Sequence, residues 1–280
     1  MLKNDLHEKT WFFDLEWVPD ADGARRLLGL AEETTEIEAM QELWKLCGAT
    51  EENPRPFVKY LFSKVVSISF LSRNIAFLDN EKFVDFRLHS LPKLPVDPSE
   101  ISESYIINRF LHFVGEKEPH LVGFNSVQSD MQVLIQRSLV NELSARRFCI
   151  RPNKPWDGRD YFYRYSEEHL DLLQLFSYDT KMKPTLNELA RFCGFPGKLN
   201  ANGSHVVDLW LNREITKIIE YNQIDTLNTY LIWLRTVHFC GKISEEDYAS
   251  EQEQFRGFLE DESQKPDKDY IQNFLDKWEI

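Results

Sequence analysis

Three short arrangements in this chain put acids where acids are costly. The first is Trp11-Phe12-Phe13-Asp14-Leu15-Glu16-Trp17. Read as a strand, its side chains alternate between two faces. Trp11, Phe13, Leu15 and Trp17 then form a wholly apolar face, and Phe12, Asp14 and Glu16 form the other. Two neighbouring carboxylates on an otherwise apolar strand lose hydration and repel each other, so something positive must sit against them. An Arg or Lys would serve, and so would a divalent metal held by hard oxygen ligands. The second is Asp130, which opens a helical pattern after the apolar run at 120–125 and the polar turn at 126–129. An Asp there commonly just caps the helix, but loops after strand ends are also where α/β sheets carry catalytic groups. The third is Tyr221 with Asp225. Four residues apart on a helix, they are offset by only ~40° and can aim at one spot.

Patterning along the chain supplies the elements that must hold these groups. Val18-Pro19-Asp20 ends the first strand. Residues 24–47 read as two helical pieces, with apolar stripes Ala24, Leu27, Leu28, Leu30 and Ile37, Met40, Leu43, Trp44, Leu46, and Pro54 and Pro56 close this insertion. Residues 64–71, 74–79 and 82–88 read as three short strands of an antiparallel meander. A helix over 100–116, capped by Ser99 or Ser102, turns Ile106, Phe110, Phe113 and Val114 inward. The helix begun by Asp130 carries Val133, Leu134, Ile135, Leu139 and Val140. Residues 169–176 read as a strand running into a helix, with His169 and Asp171 on one face in a structural pairing. A helix over 184–193 starts at Pro184 and stops before Gly194. Pro196-Gly197-Lys198-Leu199 is a loop without the glycine pattern of a phosphate cradle. A short helix over 205–211 precedes a long one over 213–235, on which Ile218, Tyr221, Asp225 and Asn228 share a side. Two acidic amphipathic helices, 244–261 and 267–278, complete the chain. No repeat or linker divides it, so a single unit over 1–280 is expected, with a core of about residues 10–240 and a helical extension over 241–280.

The net charge of −13 argues against a protein that coats long nucleic acid. The acid excess is peripheral, however: net −6 over residues 20–52 and −8 over 244–280, against +3 over 53–243. Residues 146–164 are the most basic stretch, with Arg146, Arg147, Arg151, Lys154, Arg159 and Arg164 interleaved with Trp156, Tyr161, Phe162, Tyr163 and Tyr165. Aromatics among bases suit single-strand binding by stacking plus phosphate contact, and they equally suit an ordinary loop with its rings in the core. No apolar run approaches the ~20 residues of a membrane helix, and the first residues lack the apolar core of a signal peptide. Four cysteines far apart in sequence suit a reducing cytoplasm.

In their order and context, Asp14, Glu16, Asp130, Tyr221 and Asp225 resemble the DEDD superfamily of 3′–5′ exonucleases. The Tyr-X-X-X-Asp spacing resembles its tyrosine subgroup; the histidine subgroup has a His five residues before the last Asp, where this chain has Glu220. Phe13-Asp14-Leu15-Glu16, Val18-Pro19-Asp20, Arg26-Leu27-Leu28-Gly29-Leu30, Leu121-Val122-Gly123-Phe124-Asn125, His169-Leu170-Asp171-Leu172, Leu186-Asn187-Glu188-Leu189-Ala190 and Asp225-Thr226-Leu227-Asn228-Thr229-Tyr230 are together similar to stand-alone bacterial exonucleases related to the proofreading domain of family-B DNA polymerases. The chain departs from that family at Ser129, where an aromatic usually precedes the second-motif Asp. The resemblance implies a ribonuclease-H-like α/β fold: a mixed sheet flanked by helices, with a helical insertion after the first strand and a helical C-terminal extension. It implies a metal-dependent 3′–5′ exonuclease that removes 5′-mononucleotides from the 3′ end of single-stranded nucleic acid, with DNA favoured. Two Mg2+ or Mn2+ ions would be held by Asp14, Glu16, Asp130 and Asp225, with Tyr221 positioning the attacking water. Leu15, Trp17, Asn125, Arg151 and Lys154 are the expected substrate contacts. An exoribonuclease of the same fold and an inactive nucleic-acid-binding relative are the alternatives.

Overall fold

The computed structural model describes residues 2, 6–79, 81–154, 159–162, 168–177, 182–199 and 205–279. The aromatic–acidic run lies within strand β1 (Lys9–Pro19). Two helices follow, α1 (Ala21–Leu28) and α2 (Glu36–Leu46), the second begun by a reciprocal Thr35–Glu38 capping box. Strands β2 (Ser63–Leu78) and β3 (Glu81–Leu91) come next, then α3 (Glu103–Lys117), β4 (His120–Gly123), α4 (Asp130–Val140) and α5 (Arg146–Cys149). The chain continues through β5 (His169–Asp171), α6 (Leu172–Ser177), α7 (Leu186–Phe192), α8 (His205–Leu211), α9 (Ile215–Phe239), α10 (Glu245–Ser263) and α11 (Asp269–Asp276).

The strands form one sheet in the order β3-β2-β1-β4-β5. β1 runs antiparallel to β2 and parallel to β4, so the acidic strand is central. Its two faces enter different cores. Phe12 packs with α9 residues such as Ile224 and Tyr230, while Trp11, Phe13 and Leu15 pack with Ile106, Phe110 and Leu134 of α3 and α4. A third core, around Val18, Met40, Leu43 and Trp44, seats the helical insertion against α8 and Ile218 of α9. A central strand with an antiparallel pair on one side, parallel crossover strands on the other and helices on both faces is a ribonuclease-H-like fold.

Two sequence expectations change and one open choice, between two caps for α3, is resolved. Residues 64–71 and 74–79 are one strand, because Ser72, Arg73 and Asn74 stay in register between β1 and β3. Arg73 reads as a break, yet it is fully buried: Glu251 of α10 accepts its Nε and Nη2 at 2.6 and 2.7 Å, and Tyr230 donates to the same carboxylate at 3.1 Å. Ser102, not Ser99, caps α3. Leu27, Leu46 and Leu139, counted on inward stripes, face solvent. All four cysteines are free, and among the described residues no helix is long and apolar enough to cross a membrane.

The Arg73–Glu251 pair clamps the C-terminal helices to the sheet. Removing one partner strands a buried charge, which costs ~3–5 kcal/mol, whereas replacing both by apolar groups is far milder. Glu251→Ala should therefore lower urea-unfolding stability by that order, and Arg73→Met with Glu251→Leu should recover most of it. A loss below ~1 kcal/mol in the single variant would remove the clamp from this account.

Candidate active site

Alternation along β1 turns Asp14 and Glu16 toward α9, and a register shift between Glu16 and Trp17 in the pairing with β2 follows the second acid. Such irregularities re-aim side chains at strand ends. Asp14, Glu16 and Asp225 each offer a carboxylate oxygen within 4.8 Å of the others. Asn222 of α9 donates to Asp14 Oδ2 at 2.7 Å and accepts from Ser67 of β2 at 3.0 Å, fixing α9 against both strands. Asp130, at the first turn of α4, is 3% exposed. Its Oδ1 accepts from the Leu15 backbone N–H at 3.1 Å, and its Oδ2 lies 2.5 Å from Ser129 Oγ. Ser129 Oγ is also 2.7 Å from the Asn125 carbonyl, with one proton to give between the two. Asp130 is thus a neighbour of the three-acid group and not one of its three closest members.

The turn that delivers Asp130 is built by the residues read as a structural pair. Asp171 accepts from the Asn125 and Val127 backbone N–H groups at 2.8 and 3.0 Å, and His169 Nε2 is 2.9 Å from Ser126 Oγ. Burial pushes His169 down to about 4, so it is neutral at pH 7. Asn125 adopts φ 64°, a left-handed conformation that Asn tolerates. A Cβ on Gly123 would meet Ser126 Cβ at 2.4 Å, so only glycine lets this turn close on the strand.

Lys198 is the residue that sequence reasoning missed. Its Nζ lies 3.1 Å from Asp225 Oδ2, 4.5 Å from the centre of the Tyr221 ring and in hydrogen-bond contact with the Tyr221 hydroxyl. The loop that carries it is pinned to α9 by Asn228, whose side chain bonds both the N–H and the carbonyl of Gly197 at 3.0 Å. Gly197 sits at φ 63° and a Cβ there would meet Asn187 Oδ1 at 2.6 Å. The available signal was Asn228, already placed on the Tyr221–Asp225 side of the helix.

Burial drives the electrostatics. It raises Asp14 well above the usual carboxylate range, and the charges of Asp130, Glu16 and Asp225 raise it further. Glu16 is likewise raised well above that range by burial and then by Asp225. Burial lifts Asp130 to about 7 and also raises Asp225, with Lys198 opposing the latter. The Tyr221 phenol is pushed up by burial and by the neighbouring acids. Among the described residues, three of the four acids, Asp14, Glu16 and Asp225, face the Lys198 ammonium, and Asp225 Oδ1 is buried without a hydrogen-bond partner. Hard oxygen donors with an unsatisfied carboxylate oxygen fit a divalent cation such as Mg2+ or Mn2+.

The remaining expected contacts divide. Trp17, the residue after Glu16, is half-buried and packs with Tyr60 against the core on the α3–α4 side of β1. The Leu15 side chain is 3% exposed in the core, because it lies on the inner face of β1, so this residue offers the site its backbone N–H alone. Arg151 is held by Asp160 at 2.8 Å, and the stretch around it is anchored by Tyr161 to the Pro119 carbonyl at the start of β4. That level of the sheet matches Lys9–Thr10, about five residues or on the order of 16 Å from Asp14. Among the described residues of this stretch, Tyr161 is thus anchored away from the acids, and the rings Phe148 and Tyr161 belong to the core. Lys154 is exposed on the same stretch. Trp156, Asp157, Tyr163, Arg164 and Tyr165 lie outside the described residues.

The family described as a predicted 3′–5′ exonuclease related to the exonuclease domain of PolB matches residues 55–278. The match contains Asp130, Lys198, Tyr221 and Asp225 and begins after Asp14 and Glu16. None of the curated proteins matches the chain.

Raised carboxyl pKa values mean that the native state binds more protons than the unfolded chain between about pH 4, the unfolded value, and the raised native values, about 7 for Asp130. Stability must then fall as pH rises through that window. In EDTA, the melting temperature of the wild type should fall more steeply from pH 5 to 8 than that of Asp14→Asn, and the variant should be the more stable at pH 8. Magnesium or manganese should restore the wild type at pH 8. Parallel pH profiles for the two proteins would contradict the charge crowding described.

Proposed function

The chain belongs to the family of predicted 3′–5′ exonucleases related to the PolB exonuclease domain, and on that basis we propose that it hydrolyses single-stranded nucleic acid, DNA in preference to RNA, from the 3′ end to 5′-mononucleotides. The observation that carries this reading is the convergence of Asp14, Glu16 and Asp225 within 4.8 Å, with the buried Asp225 Oδ1 unpartnered. The working unit is one domain with a core of about residues 10–240, onto which the helices after residue 241 are clamped. The four free cysteines suit a reducing compartment such as the cytoplasm.

Asp14, Glu16 and Asp225 would hold divalent cation, with Asp130 as an outer ligand. Bound there, two such ions would make water a nucleophile at neutral pH and offset charge on the leaving oxygen. The chain's own groups supply position. Tyr221 keeps its proton, because burial and the surrounding acids disfavour the phenolate. It is therefore a hydrogen-bond donor and not a base, and it aims the attacking water. Asn222 keeps Asp14 oriented, and the Leu15 N–H and Ser129 hydroxyl keep Asp130 from turning away. Lys198 favours the charged form of Asp225 and contacts the Tyr221 hydroxyl.

The test is a time course on end-labelled single-stranded DNA and RNA with and without manganese. Mononucleotides should appear from the 3′ end of DNA and require the metal. Faster release from RNA would move the substrate to RNA, and metal-dependent stabilisation without release would leave a binding protein. Asp14→Asn should reduce activity to below a tenth of wild type, a loss exceeding ~1.4 kcal/mol. Tyr221→Phe should lower turnover on the order of 10- to 1000-fold with metal affinity nearly unchanged, whereas Asp225→Ala should weaken metal binding measured by calorimetry. Wild-type turnover in Tyr221→Phe would make that tyrosine a packing residue.

A further inference from the structure

A row of aromatic rings runs outward from Trp17, itself an expected substrate contact, and its two outer rings have no role so far. Trp17 follows Glu16 on β1. Its ring meets that of Tyr60 edge-on, 6.4 Å between centroids and 88° between planes, and Tyr60 meets Phe57 at 5.4 Å and 83°. The exposure rises outward: Trp17 and Tyr60 are half-buried, and Phe57 is 67% exposed. Lys59, also exposed, lies between the two outer rings in sequence.

The segment holding these rings is fixed beside the site. Val58 is buried in the insertion core. The Leu61 carbonyl accepts from Arg137 Nη1 of α4 at 2.9 Å, and the Phe62 carbonyl accepts from the Asp20 N–H just after β1 at 2.7 Å. The Tyr60–Phe62 turn is thereby held against α4, the helix that Asp130 begins. A single exposed Phe is ordinary. A pinned row of three rings that begins one residue after Glu16 and ends in solvent, with a lysine in its segment, has the composition of a base-stacking surface, because every nucleobase offers a π-face and every linkage a negative charge.

We propose that Phe57, Tyr60 and Trp17 form a stacking step for the unpaired bases just upstream of the bond to be cut, with Lys59 taking a phosphate. The step rests on the exonuclease reading. It makes unpaired bases, and not backbone charge alone, the feature recognised. Since stacking acts before the chemical step, its loss should weaken substrate binding more than turnover.

The test compares two short single-stranded oligodeoxynucleotides, one with all its bases and one with abasic spacers at the second and third positions from the 3′ end. Wild type should show a KM about tenfold higher or more on the abasic strand, in keeping with ~1–3 kcal/mol per stacked base. Phe57→Ala should raise KM on the complete strand by about tenfold, with a much smaller change in kcat, and should erase most of the difference between strands; Phe57→Trp should restore that difference. A wild-type ratio of KM values in Phe57→Ala would overturn the step. If the wild type releases no nucleotide, the exonuclease reading fails separately. Anisotropy binding of the same two strands to Asp14→Asn, and to Asp14→Asn carrying Phe57→Ala, then decides the step: preference for the complete strand lost with Phe57 supports it, and equal preference in both proteins refutes it.

Discussion

Four carboxylates crowded at the end of one central strand set the terms for the rest of this molecule. Each loses hydration, and each repels the others, so the fold must hold them by something other than their mutual attraction. It does so with donors aimed one at a time: Asn222 at Asp14, the Leu15 N–H and Ser129 hydroxyl at Asp130, Lys198 at Asp225. None of these donors is on the same local segment as the acid it serves, except Ser129. The site is consequently a product of how β1, α4, α9 and the 196–199 loop are packed together.

Those elements are fixed by buried charges that take no part in the site. Arg137 of α4 is 3% exposed and reaches Asp20 at 2.8 Å and Glu103 of α3 at 2.6 Å. Glu103 in turn accepts the Val65 N–H of β2 at 2.7 Å. One guanidinium thereby ties the helix carrying Asp130 to the end of the strand carrying Asp14. On the other face the Arg73–Glu251 pair holds α10 against β2, with the Arg73 guanidinium 5.2 Å from the Trp233 ring of α9. Buried pairs of this kind contribute little net stability, but breaking one is expensive, so they fix geometry strongly.

The charge distribution also acquires a spatial meaning. The acid-rich insertion and C-terminal helices are the pieces packed around the core sheet, not the sheet itself. In the basic stretch Tyr161 is anchored just before β4, level with the start of β1, while the acids gather further along β1. The cation inside the acidic cluster is Lys198, from a loop with no notable composition. Local sequence charge is therefore a poor guide to which bases meet the acids: the lysine beside Asp225 comes from a pinned loop, while Arg151 in the basic stretch is held by Asp160.

The sequence by itself determined the central strand, the two faces of that strand and the five residues on which the proposed chemistry rests. It could do so because alternation and helical periodicity act over a few residues, and because acids in apolar runs stand out wherever they occur. The shared strand face of His169 and Asp171 was legible for the same reason, two residues apart, but the two do not pair with each other as expected: both reach across to the 125–127 turn. Tertiary structure decided the rest. It alone made β2 continuous through Arg73, whose partner lies on α10 near the other end of the chain. It alone brought Lys198 to Tyr221 and Asp225, set Asp130 slightly apart from the three closest acids, and anchored Tyr161 of the basic stretch away from them. Each of these depends on contacts between residues far apart in sequence, and periodicity in a short window carries no information about which distant segments will meet.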